Sequence, residues 1–225
     1  MTLKKGTTST KVRVFLVDDH PIIRRGFQLL LGMERDMMVC GEADSGPAAL
    51  QKILALKPDV AIVDLSLKAS TGLELIKQLR AQRLEIKLLV FTMRDEGIYA
   101  ERALKAGADG YLTKEEGTEK AIQAIRVLME GKRYLSEKVA EKLMDNLVGN
   151  SAGADRDVGS LSDRELEVLE LIGNGLGSRE IAEKLHLSIK TIESHRANIK
   201  TKLKLNNAAE LLQQAIMWVQ SGKVS

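Results

Sequence analysis

Asp18 and Asp19 follow the apolar run VRVFLV (12–17), Asp64 closes VAIVD (60–64), Thr92 closes IKLLVFT (86–92), and Lys114 follows GYLT (110–113). If these runs are strands of one open parallel sheet, their carboxyl ends share a rim. Ligands bind at that rim where the strand order reverses. Three carboxylates gathered in one pocket repel each other at a cost unless a cation joins them. Oxygen ligands with positions left open for water suit Mg²⁺. The Thr92 hydroxyl and the Lys114 ammonium add groups suited to phosphate oxygens at the same rim. Taken singly, the aspartates have plainer readings: Asp19 caps the helix that Pro21 opens, and Asp64 starts a turn. The coincidence of all five positions is what points to chemistry. His20 reads as part of the helix start, not as a metal or proton-transfer group.

A second set of candidates lies in a basic stretch. Residues 161–183 carry a net charge of −4 and residues 184–204 a net +5, in a chain whose formal charge is +3. A concentrated basic segment is the footprint of polyanion binding, although a solvated helix face is the commoner reason for a charge run. Ser178 can cap a short helix to Leu185, Leu187 fills a turn, and Ser188 can cap a longer helix to Lys204. In the longer helix Ile189, Ile192, Ile199 and Leu203 recur at helical spacing and are predicted to face the core. The opposite face holds Lys190, Glu193, Ser194, Ala197 and Lys200, and it is the face to enter a major groove. Glu193 can accept a bond from cytosine N4 and Ala197 can touch a thymine methyl. Lys190, Thr191, Arg196, Lys200 and Lys202 are assigned to phosphates. His195 either contacts a phosphate or packs within the fold, and His186 is a surface residue.

The elements that must position these groups follow from periodicity. From Lys11 to Glu130 short β-rich apolar runs alternate five times with segments of helical period, the signature of βαβ units; MMVCGEA (37–43) supplies the remaining strand. The expected architecture is α/β, a flavodoxin-like (βα)5 unit with parallel sheet order 2-1-3-4-5. After Gly131 a short amphipathic helix near Ser136 to Leu147 leads into GNSAGADRDVGS, which reads as a linker. Beyond it every signal is helical, beginning with Ser162 and Glu165 as a capping box. A length of 225 residues suits two domains. They are read as 11–131 and 161–225, joined by 132–160. The 44% hydrophobic and 29% charged composition is that of a soluble globular chain. No apolar run approaches the ~20 residues of a membrane span, and MTLKKGTTST is too polar for a secretory signal, so a cytoplasmic protein without membrane contact is expected. The single cysteine, Cys40, has no disulfide partner and reads as packing.

With these residues in view, the chain resembles the NarL/FixJ class of response regulators over nearly its full length. The resemblance rests on VDDHPIIRRG (17–26), Asp64 with Gly72 eight residues on, Thr92 and GYLTK (110–114), and on LSDRELEVLELIGNGLGSREIAEKLHLSIKTIESHRANIKTKL (161–203), which is similar to the LuxR-type helix-turn-helix module. It implies a receiver domain in which Asp64 accepts a phosphoryl group from a histidine kinase, with Thr92 and Lys114 assisting. It further implies Mg²⁺ held by Asp19, Asp64 and the backbone carbonyl of Ser66, with Asp18 supporting the metal through water. Thr92 and Tyr111 resemble the switch pair of receivers. The helical domain would bind duplex promoter DNA through Lys190, Thr191, Glu193, Ser194, His195, Arg196, Ala197, Lys200 and Lys202. The last helix, Asn207 to Gln220, would pair two copies as a homodimer when phosphorylated or DNA-bound. The resemblance also implies that the unphosphorylated receiver covers the recognition helix, with phosphorylation releasing it or promoting dimerisation. The protein is then a transcription regulator and not an enzyme.

The chain departs from the family where Met-Pro usually follows the phosphorylated aspartate, since Leu67 and Lys68 stand there. Losing Pro frees φ and returns a backbone N–H, and Lys68 adds a cation beside the site. Two other readings compete: a regulator whose receiver answers to dimerisation or a small ligand, and a flavodoxin-like enzyme or cofactor protein with a helical appendage. The complete set Asp18, Asp19, Asp64, Thr92 and Lys114 speaks against the first. Asp-His-Pro in place of a glycine-rich phosphate loop after strand 1 speaks against the second.

Overall fold

The computed structural model describes residues 11–67, 70–94, 96–137, 139–141, 144 and 158–223. Most of the linker stretch and Lys68 lie outside the described residues.

Strands β1 (Val12–Val17), β2 (Met37–Ala43), β3 (Val60–Val63), β6 (Lys87–Thr92) and β7 (Gly110–Thr113) form one parallel sheet in the order β2-β1-β3-β6-β7. Counted by sheet strands alone, this is the predicted 2-1-3-4-5. The order reverses between β1 and β3, so the ends of those two strands meet at one crevice. An addition that the periodicity did not signal is a short antiparallel ladder, β4 (Ser66–Leu67) with β5 (Ser70–Thr71), directly after β3. Its first strand includes Leu67, where the usual Met would stand.

Helices cover both faces, which is why β3 is apolar on every residue and β1 and β6 nearly so. On one face α1 (Pro21–Met33) and α5 (Thr118–Met129) bury Phe27, Leu31, Ile122 and Ile125 against Leu16, Ile62 and Phe91. Phe27 and Phe91 meet edge to face with ring centroids 5.1 Å apart. On the other face α2 (Gly46–Leu56), α3 (Gly72–Ala81) and α4 (Glu96–Ala106) pack on Phe15, Val63 and Val90. Cys40 is half-buried against this cluster, as its packing role requires, and burial pushes its thiol pKa up.

The C-terminal part is helical: α6 (Asp163–Gly173), α7 (Ser178–Leu185), α8 (Ile189–Lys202) and α9 (Ala208–Lys223). Ser162 accepts the Glu165 N–H at 3.3 Å while Glu165 accepts the Ser162 N–H at 2.8 Å, which completes the predicted capping box. Gly173 lets α6 approach α9 closely, because a Cβ there would lie 2.4 Å from the Ala215 carbonyl oxygen. Two local expectations are corrected. Helix α7 is capped at Gly177, whose N–H donates to Glu180 at 2.7 Å, so Ser178 is its first helical residue and not its cap. Ile189 is 46% exposed and does not reach the core that Ile192, Ile199 and Leu203 do, because it sits in the first turn, ahead of the helices that cover the others.

The two parts are docked. The apolar cluster on the α3–α4 side of the sheet runs on without a break into Val158, Leu161, Leu166 and the core of the helical domain. Among the described residues no helix is long and apolar enough to cross a membrane.

Candidate functional site

The crevice between the ends of β1 and β3 holds the acidic set. Asp18 and Asp64 are both buried, and Asp18, Asp19, His20 and Asp64 each offer a ligand atom within 4.8 Å of the others. His20 is the N-cap residue of α1, as expected of a helix start, and its Nδ1 lies 2.8 Å from Asp19 and 3.1 Å from Asp18. The plainer readings of the aspartates resolve differently. Asp19 does not cap α1, whereas Asp64 does close a turn, accepting the Ser66 N–H at 3.1 Å. Gly72 matters here: a Cβ would stand 2.1 Å from the Asp64 carbonyl oxygen, so a side chain would displace the strand end that carries the carboxylate.

Both partners from the neighbouring strands reach the same carboxylate. Thr92, fully buried, donates its hydroxyl to Asp64 Oδ1 at 2.7 Å. Lys114 places Nζ 2.6 Å from Asp64 Oδ2 and 2.6 Å from Asp18 Oδ2. Burial alone would lower the lysine pKa, but Asp64 and Asp18 outweigh it and hold the ammonium above the usual lysine range. The donor set fits a hard dication, since it consists of carboxylate oxygens beside the Ser66 peptide. The arrangement presents one carboxylate oxygen to a hydroxyl and the other to an ammonium, groups that can follow negative charge onto an incoming phosphoryl group. Tyr111 is buried on β7, and its hydroxyl donates to the Arg94 carbonyl at 2.9 Å.

In the helical domain Ser188 caps α8 by accepting the Thr191 N–H at 3.1 Å, and its hydroxyl also bonds that of Thr191 at 2.8 Å. Lys190, Glu193, Ser194 and Ala197 are exposed along one face, with Thr191, Arg196 and Lys200 half-exposed. Lys202 is exposed and lies 2.5 Å from Glu165. His195 is half-buried, and burial together with nearby Arg164 holds its pKa below the ordinary histidine value. Helix α9 buries Leu211, Ala215 and Val219 and leaves Leu212, Ile216 and Met217 exposed.

Among the described residues the outward face of α8 stays exposed, and the interdomain ion pairs go to α6, whose acidic residues face basic ones on the α3–α4 side. Arg94 bonds Glu167 and lies 2.5 Å from Glu170; Tyr99 donates to Glu170 at 2.7 Å; Arg102 reaches Asp163 at 3.3 Å and Lys77 reaches it at 2.7 Å. Sequence reasoning missed this contact. Its signal was the net −4 of residues 161–183, noticed only as the contrast to the basic stretch.

Residues 14–126 match the family model of the response regulator receiver domain, and residues 159–215 that of the bacterial regulatory proteins of the luxR family. The chain is similar to the oxygen regulatory protein NreC of Staphylococcus aureus, with 38% identity over 210 residues that cover 91% of this chain and 97% of the relative. Among solved structures it resembles RcsB from Salmonella enterica serovar Typhimurium bound to promoter rprA with phosphomimetic BeF3⁻, at 29% identity and a TM-score of 0.61 over 92% of this chain and 98% of that one. It also resembles a LuxR-family two-component response regulator from Aurantimonas, at 32% identity and a TM-score of 0.57 over 62% of this chain and 99% of that one.

Proposed function

Since the chain belongs to the response regulators that join a receiver domain to a luxR-family DNA-binding domain, we propose that it accepts a phosphoryl group on Asp64 from a histidine kinase and, so modified, pairs on promoter DNA. The observation that carries this reading is the convergence of Thr92 and Lys114 on the two oxygens of Asp64. In the transfer an Asp64 oxygen forms a bond to phosphorus while the bond from phosphorus to the donor nitrogen breaks, its electron pair leaving with the kinase histidine. Lys114 then exchanges its carboxylate partner for a phosphoryl oxygen, and the Thr92 hydroxyl does the same. Asp19, Asp64 and the Ser66 carbonyl would hold Mg²⁺, with Asp18 supporting it through water, and the bound ion would supply neutralisation of charge on the transferring oxygens.

The receiver is taken as residues 11–131 and the DNA-binding domain as 161–225, in a cytoplasmic protein. The exposed face of α8, with Lys190, Glu193, Ser194 and Ala197, reads the major groove, and Thr191, Arg196 and Lys200 hold phosphates. The lowered pKa of His195 supports a packing role over a cationic phosphate contact. Leu212, Ile216 and Met217 on α9 supply an apolar surface for a second copy, matching a pair of half-sites.

The test is a phosphate-trapping gel after incubation with acetyl phosphate and Mg²⁺. A retarded band is expected in the wild type and none in Asp64→Ala. Equal bands in both would place the phosphate elsewhere and overturn the assignment.

A further inference from the structure

Arg94 lies two residues beyond Thr92, and every one of its polar atoms is tied either to the phosphorylation site or to the DNA-binding domain. Its N–H donates to Thr92 Oγ1 at 3.3 Å, and its carbonyl accepts from the Tyr111 hydroxyl at 2.9 Å. Its Nε donates to Ser66 Oγ at 3.0 Å, beside the turn that Asp64 closes. Its two terminal nitrogens hold Glu167 and Glu170 of α6. The guanidinium rides over the Tyr99 ring, 5.5 Å from its centroid, and the same ring's hydroxyl bonds Glu170. The arginine side chain is only 12% exposed and that of Glu167 only 6%.

We infer that Arg94 is an interdomain latch, held shut while Asp64 is unmodified and opened by its phosphorylation; this rests on the reading of Asp64 as the phosphoacceptor. The Thr92 hydroxyl has one proton, which it gives to Asp64 at 2.7 Å, while its oxygen receives the Arg94 N–H. When a phosphoryl group takes up the Asp64 oxygen, that proton follows the new acceptor, and the oxygen leaves the Arg94 amide with it. Tyr111, tethered to the next carbonyl, must move with the same peptide. The phosphoryl group also adds a net charge of about −1 and places its oxygens on the side of the site where Nε already sits, in competition with Glu167 and Glu170 for one guanidinium. Both effects pull the arginine the same way. Once it departs, Glu167 keeps Arg164, but Glu170 is left with the Tyr99 hydroxyl and no cation in a poorly solvated contact, an arrangement less stable than the paired one. The docked interface then opens, although Arg102 and Lys77 still face Asp163.

A contact that merely glues the domains differs from a latch through reciprocity. If phosphorylation weakens docking, loss of docking must strengthen binding of a phosphoryl mimic by the same factor. The experiment uses the full chain and the double variant Glu167→Gln/Glu170→Gln, with Glu170→Gln alone as a milder change that keeps the Arg164–Glu167 pair. Docking is read by small-angle scattering and by hydrogen exchange over residues 96–106 and 163–173. Beryllofluoride affinity is read by titration in the presence of Mg²⁺.

Expected is a wild type that opens on modification, a double variant open without it, and beryllofluoride binding about 10-fold tighter in the double variant, within the usual range of coupling. The single variant should fall between. A variant that opens with unchanged beryllofluoride affinity would overturn the latch and leave Arg94 a structural contact. A wild type that carries phosphate on Asp64 in the trapping gel yet stays docked would also overturn it, with the function above intact. Absence of phosphate from Asp64 in that gel removes both.

Discussion

Lys114 stands between two buried carboxylates, 2.6 Å from each, and takes the position a cation must fill if Asp18 and Asp64 are to stay together. Removing its charge leaves the acidic set to repel itself in a dry crevice. For Lys114→Met we expect a loss of about 3 kcal/mol in the presence of a chelator, the scale of breaking a buried pair from one side. Mg²⁺ should recover a substantial part of that loss, far more than it adds to the wild type, because it supplies the missing positive charge. Urea unfolding with and without Mg²⁺ measures both quantities, and equal Mg²⁺ effects in the two proteins would show that the carboxylates do not share an ion. The groups of this site were legible in the sequence because each ends an apolar run, and strand ends in a parallel sheet converge. Arg94 was not, because nothing local marks it: its meaning comes from Glu167 and Glu170, more than seventy residues away.

Helix α6 is capped and pinned by the same residue. Glu165 closes the capping box on Ser162 and also accepts Lys202 from the end of α8 at 2.5 Å, so one carboxylate ties the start of one helix to the end of another. Burial works against its charge, but Lys202 and the Ser162 N–H win, and its pKa lies below the ordinary glutamate value. For an acid whose folded pKa is depressed, the stabilisation is complete above the unfolded pKa and is lost as pH falls through the folded one. Stability of the helical domain should therefore drop as pH falls below about 4.5, the unperturbed value. Glu165→Gln should lose about 1 kcal/mol at neutral pH and show a flatter decline in acid. Thermal unfolding across that range tests it; parallel pH curves for the two proteins would show that Glu165 gains nothing from its charge. Ser162–Glu165 and the Ser188 cap were readable from sequence because a cap acts over three residues. The Gly177 cap and the exposure of Ile189 were not, since periodicity cannot tell which part of a helix face its neighbours actually reach. The β4–β5 ladder was equally invisible, being too short to carry a period.

At the scale of the whole molecule the docked state matters for what it leaves uncovered. The receiver rests on α6, and the face of α8 with Lys190, Glu193, Ser194 and Ala197 stays exposed, contrary to the expectation that the receiver would cover the recognition helix. Docking therefore does not remove the contacts a single half-site needs. What it constrains is the second copy, because a receiver fixed to α6 must be accommodated beside a partner brought in by the exposed Leu212, Ile216 and Met217 of α9. Phosphorylation should then act on pairing rather than on groove contact. On DNA with one half-site, acetyl phosphate should change the affinity of the full chain less than about threefold. On DNA with two correctly spaced half-sites the gain should be at least about tenfold, within the range of ordinary coupling energies. The salt dependence on one half-site should be the same in both states, since it counts phosphates neutralised by the same cations. Fluorescence anisotropy on the two DNAs separates these quantities. An equal gain on both would mean that the docked receiver obstructs α8 itself when DNA approaches, and that release of the recognition face, not pairing, is what phosphorylation controls.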